Sequence, residues 1–98
     1  MDYKPKYAEY TVGYTLIVAY SVGTTNKIHT FGFAKDSVKN MLGHIENWET
    51  HFEKQVEDTN ANGVDYTYSM ELIRNMYYPN TKSFGTLSIE KSELKELA

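Results

Sequence analysis

The chain has 98 residues with ten basic and thirteen acidic side chains, a formal net charge of −3, and no cysteine. This is the size of one small domain, and the composition excludes a disulfide scaffold, a thiolate zinc site, a thiol nucleophile and a strongly basic nucleic-acid clamp. Nine tyrosines, four phenylalanines and one tryptophan make it rich in aromatic residues.

No apolar stretch of about seven to fifteen residues follows the N-terminal lysines, so no secretory signal is expected. The longest apolar run, Leu16 to Tyr20, falls far short of the roughly 20 residues that span a bilayer. The expected compartment is therefore the cytoplasm.

Residues 10–22 alternate with period 2. Tyr10, Val12, Tyr14, Leu16, Val18, Tyr20 and Val22 share one parity, and Thr11, Gly13, Thr15, Ile17, Ala19 and Ser21 the other. This is a strand with one bulky and one small face. Gly23-Thr24-Thr25-Asn26 reads as a four-residue turn, and Lys27–Ala34 as the returning strand. That loop length predicts Tyr20 opposite His29, Val18 opposite Phe31 and Leu16 opposite Phe33. All bulky residues then lie on one face, which a slip of one residue would destroy.

From residue 36 to 58 the period changes. Val38, Met41, Leu42, Ile45, Trp48, Phe52 and Val56 recur at three- and four-residue steps and form the stripe of an amphipathic helix. Asp36 or Ser37 is the expected cap, and Asp58-Thr59-Asn60-Ala61-Asn62-Gly63 the expected stop. Residues 64–73 alternate again and predict a third strand, with an extension to Tyr78; a helix over Met70–Tyr78 is the competing reading. Pro79–Lys82 is a turn. The fourth strand then places Leu72 opposite Ile89 and Met76 opposite Gly85. Ser92–Ala98 is a charged tail with room for one helical turn. The expected fold is α+β: a single domain over residues 1–98 with short flexible ends. In it a four-stranded antiparallel sheet from two hairpins, in the order β-β-α-β-β, carries one amphipathic helix on one face.

No catalytic constellation emerges. His44 and His51 stand seven residues apart on the helix, about 10 Å along its axis, too far to share a metal. His29 heads into the bulky face, where a core or boundary histidine is the expectation over a general base. There is no phosphate loop, dinucleotide fingerprint, zinc-protease or nucleophile-elbow motif, and no calcium loop. No cofactor or metal is expected.

Two groups are candidates for a contact surface. The helix carries Glu46, Glu53 and Glu57 on one flank, with Glu49 at the rim of the apolar stripe, a negative strip suited to a basic partner. Tyr10, Tyr14, Tyr20, Tyr66 and Tyr68 have core-facing parity, which leaves Tyr3, Tyr7, Tyr77 and Tyr78 unassigned. Arg74, the one arginine, precedes Tyr77 by three residues. Tyrosine and arginine dominate interface hot spots. The small-residue sheet face has no expected cover, so a homodimer through it or through an edge strand is a further expectation.

These features point to a non-enzymatic interaction protein that binds and inhibits or modulates another macromolecule, with a nucleic-acid-binding host protein as one kind of partner. In size and composition the chain is similar to small accessory proteins of phages and mobile elements, among them anti-CRISPR and anti-restriction inhibitors. Two alternatives are a single-strand nucleic-acid binder using sheet aromatics and a ligand-binding or enzymatic dimer with a pocket at the open face. The charge balance disfavours direct nucleic-acid binding.

Overall fold

The structure, a computed structural model, describes residues 10–98. Tyr3 and Tyr7 lie outside the described residues. Strands β1 (Tyr10–Val22) and β2 (Thr25–Ala34) are followed by helix α1 (Val38–Asn62), strands β3 (Tyr66–Tyr78) and β4 (Ser83–Ser88), and helix α2 (Lys91–Leu97). The strands form one antiparallel sheet in the order β2-β1-β3-β4. The α+β class and the β-β-α-β-β order are as the periodicity predicts.

The core lies between the bulky sheet face and α1. Leu16 and Val18 of β1 are fully buried against the stripe of Met41, Ile45 and Phe52. Side chains of this kind contribute about 1.5–3 kcal/mol each when taken out of water. The opposite face carries Thr15, Ile17, Ala19 and Ser21 of β1, and among the described residues no layer covers it.

Three details depart from expectation. First, the β1–β2 turn has two residues rather than four. Gly23 takes φ 60° and Val22 pairs with Thr25. Val18 therefore opposes His29, and Leu16 opposes Phe31. A tight hairpin with glycine in its first turn position matches the natural strand twist. The displacement is by two residues, so every side chain keeps its face. Second, α1 continues past Asp58 to Asn62. The polar residues expected to stop it fold onto the helix instead: Thr59 Oγ1 donates to the Gln55 carbonyl at 2.8 Å and Asn62 Nδ2 to that of Asp58 at 2.8 Å. The helix ends at Gly63, whose φ of 68° is left-handed and free of steric cost only for glycine. Ser37 holds the N-cap position with no side-chain cap bond.

Third, the C-terminal end, expected to be flexible with one helical turn, forms α2. Its start is closed by reciprocal bonds between Glu90 and Glu93, and Leu94 is completely buried against the core. The β3–β4 hairpin has the predicted register, with Met76 opposite Gly85, and Ile89 N donates to the Leu72 carbonyl at 3.0 Å. Met70–Tyr78 is strand, not helix.

Candidate functional site

The two outer strands differ in reach, and this shapes the most distinctive surface. β4 pairs only with Ile73–Tyr78 of β3. Residues 66–71 pair with β1 on their inner side and have no outer neighbour among the described residues. In an antiparallel ladder both backbone groups of a residue point to the same side, and the side alternates. Leu72 directs its carbonyl outward to Ile89. Met70, Tyr68 and Tyr66 therefore present their N–H and C=O groups on that same open side.

Beside this edge runs a groove of about 470 Å³, lined by Glu49, Glu53, Val56, Glu57, Tyr68 and Met70. Its wall is the acidic flank of α1. Glu49, Glu53 and Glu57 follow at four-residue steps, about 6 Å apart along the axis. Its floor is apolar, formed by Met70 and by the Tyr68 ring. That ring stacks on Phe52 with centroids 4.4 Å apart and planes 20° apart. The hollow continues past Glu49 to Leu72, Ile89 and Lys91, where Lys91 Nζ meets Glu49 Oε1 at 2.7 Å.

The predicted acidic strip is thus partly gathered into one site. Glu49, Glu53 and Glu57 line the groove, while Glu46 is exposed outside it. The predicted Arg74–Tyr77–Tyr78 group is not assembled on one surface. Arg74 and Tyr78 share the helix-facing parity, and Tyr77 faces the other way. Arg74 is half-buried, and its Nε is buried without a hydrogen-bond partner among the described residues. The Tyr78 ring lies over Gly85.

Tyr77 has different neighbours. Its ring centroid is 5.5 Å from Tyr10 and 5.0 Å from Phe84. The three pair side by side across β1, β3 and β4, forming an aromatic ladder on the uncovered face. Tyr10 is 52% exposed and Phe84 75%. Parity alone places Tyr10 in the core. A β-bulge between Thr11 and Gly13 inserts one residue and turns Tyr10 to the other face. The signal in the sequence was Gly13, a glycine inside a strongly alternating strand. A Cβ at that position would lie 2.8 Å from the Phe33 carbonyl oxygen.

Two of the three histidines, His29 and His51, approach one ring, while His44 packs apart from them. His44 packs on Phe31 and Phe33, and His29 and His51 flank Trp48 at 5.3 and 5.4 Å. Tyr20 Oη lies 3.5 Å from His29 Nε2. A hollow of about 370 Å³ opens between Tyr20, His29, Asn47, Trp48 and His51. No group of three or more metal-ligating side chains forms among the described residues. At the far end of this aromatic seam the Tyr66 hydroxyl is buried without a partner among the described residues. Burial pushes its pKa above the usual phenol range, and the nearby Tyr20 and Tyr68 phenols add to the rise.

No family model, curated protein or solved structure matches this chain.

Proposed function

We propose that the protein is a non-enzymatic binding module that engages another macromolecule through the acidic groove between α1 and β3, and so inhibits or modulates it. The observation that carries this reading is the gathering of Glu49, Glu53 and Glu57 along one wall of an apolar-floored groove. A carboxylate row beside apolar surface suits a partner with basic residues on an amphipathic segment, because charge steers the encounter and apolar contact holds it. Affinity capture from a bacterial lysate tests the reading, with wild type compared against an E53Q/E57Q variant. Proteins retained by the wild type and lost by the variant support it. No protein retained at micromolar concentration, or the same set retained by both, overturns it.

One observation favours a second reading. The Tyr10–Tyr77–Phe84 ladder is a platform of the kind on which single-stranded bases stack. Against it stands the surplus of thirteen acidic over ten basic residues, since phosphate contacts dominate nucleic-acid affinity. Absence of binding to single-stranded oligonucleotides at low salt ends this reading.

A further inference from the structure

Building on the binding role proposed above, we infer that the open edge of β3 accepts an extended segment of the partner as a fifth strand, and that this segment carries lysine or arginine at alternate positions. Two observations combine here. The edge from Tyr66 to Met70 offers outward N–H and C=O groups at three residues with no neighbouring strand among the described residues. Unpaired edges of this kind template strand addition, in which main-chain bonds give affinity and alternate side chains give specificity. Glu49, Glu53 and Glu57 lie beside that edge, in the groove floored by Tyr68 and Met70. Side chains on one face of an added strand would enter this groove.

The spacing fits. Carboxylates at i, i+4 and i+8 of a helix repeat about every 6 Å, and same-face residues of a strand about every 6.6 Å. Every second residue of the added strand can therefore meet successive glutamates over three positions with little drift. The intervening side chains would fall on the uncovered face beside Thr67, Ser69 and Glu71, all exposed. A second copy of this chain is a poorer occupant. Pairing β3 with its own counterpart would bring two glutamate rows together, and like charges repel at that range. The outer edge of β2 also has no neighbouring strand among the described residues, but the hollow on that side is lined by Tyr20, His29, Asn47, Trp48 and His51, with no carboxylate among them.

The test uses the full chain and three acetylated, amidated heptapeptides. The first is Thr-Lys-Thr-Lys-Thr-Lys-Thr, the second has the same composition with its lysines adjacent, and the third is the first with its backbone amides N-methylated. The alternating peptide is expected to bind at low salt, with chemical-shift changes centred on Tyr66, Tyr68 and Met70. Hydrogen exchange at those three amides should slow about tenfold or more. E53Q/E57Q should weaken the complex about fivefold, and both control peptides should bind more weakly still. If the controls bind as tightly as the alternating peptide, or the three amides gain no protection, strand addition is wrong while the acidic-groove reading stands. If no peptide binds but lysate proteins depend on Glu53 and Glu57, the inference again fails alone. A concentration-dependent dimer protected at the same amides would make a second copy the occupant and overturn the basic-strand assignment.

Discussion

The Lys91 ammonium lies 2.7 Å from the Glu49 carboxylate and ties the first turn of α2 to the acidic flank of α1. Both side chains are partly exposed, at 33% and 42%. Exposed pairs of this kind are worth up to about 1 kcal/mol and are screened by salt. Lys91→Ala should therefore cost less than about 1 kcal/mol by denaturant titration, and less again at high salt. The same change leaves Glu49 unpaired at the head of the groove, so a lysine-bearing peptide should bind the variant more tightly than the wild type. Calorimetric titration of both proteins checks this.

Two glycine-to-alanine changes should act in opposite directions. Gly13→Ala drives a Cβ to 2.8 Å from the Phe33 carbonyl oxygen, a backbone atom that cannot swing aside. A loss of about 1–3 kcal/mol is expected. Gly43→Ala adds its methyl to open space within α1 and should stabilise by up to about 1 kcal/mol through helix propensity alone. Equilibrium urea unfolding of the two variants measures both signs.

Tyr66 links stability to alkaline pH. Its pKa is raised in the folded protein, chiefly by burial, so the folded state holds this proton more tightly than the unfolded chain. Below the ordinary phenol pKa of about 10 both states are protonated and the term is fully present. As pH rises past that value and through the folded pKa, the unfolded state deprotonates first and stability falls. Tyr66→Phe should remove this part of the alkaline loss. At neutral pH it also deletes a buried hydroxyl that has no partner among the described residues, so it should be neutral or mildly stabilising. Unfolding free energies of wild type and variant at neutral and alkaline pH decide the matter.

Leu94 is the anchor of α2, with no exposed surface. Leu94→Ala should cost about 2–5 kcal/mol, as truncation of a buried leucine does. It should also release α2, seen as fast hydrogen exchange at Leu94 and Lys95. If the helix stays protected, its hold on α1 resides in other contacts.

The sheet and the main helix are legible because their periods differ and their bulky residues are numerous. Leu16, Val18, Met41, Ile45 and Phe52 are where the alternation and the helical stripe place them. What escapes is information that depends on a single residue. The bulge before Gly13 reverses Tyr10, and one buried leucine converts a charged tail into α2. The acidic site is half legible. Helical spacing puts Glu46, Glu53 and Glu57 on one flank with Glu49 at the rim of the stripe, whereas the groove leaves Glu46 outside and takes Glu49, Glu53 and Glu57. That they border an open edge depends on β4 ending at Ser88, opposite Ile73, and no periodicity in β3 itself reports where its neighbour stops.

The hairpin at Gly23-Thr24 bears on how this protein can vary. Strand faces repeat every two residues, so the turn tolerates length changes in even steps. Two inserted residues would slide β2 along β1 and leave Phe31 and Phe33 against α1. One inserted residue, with pairing kept to the end of the strand, would send Thr30 and Gly32 inward and expel the phenylalanines. Viable natural or engineered variants at this turn should therefore differ by pairs of residues, and an odd-length insertion should be accepted only where the turn itself bulges to absorb it.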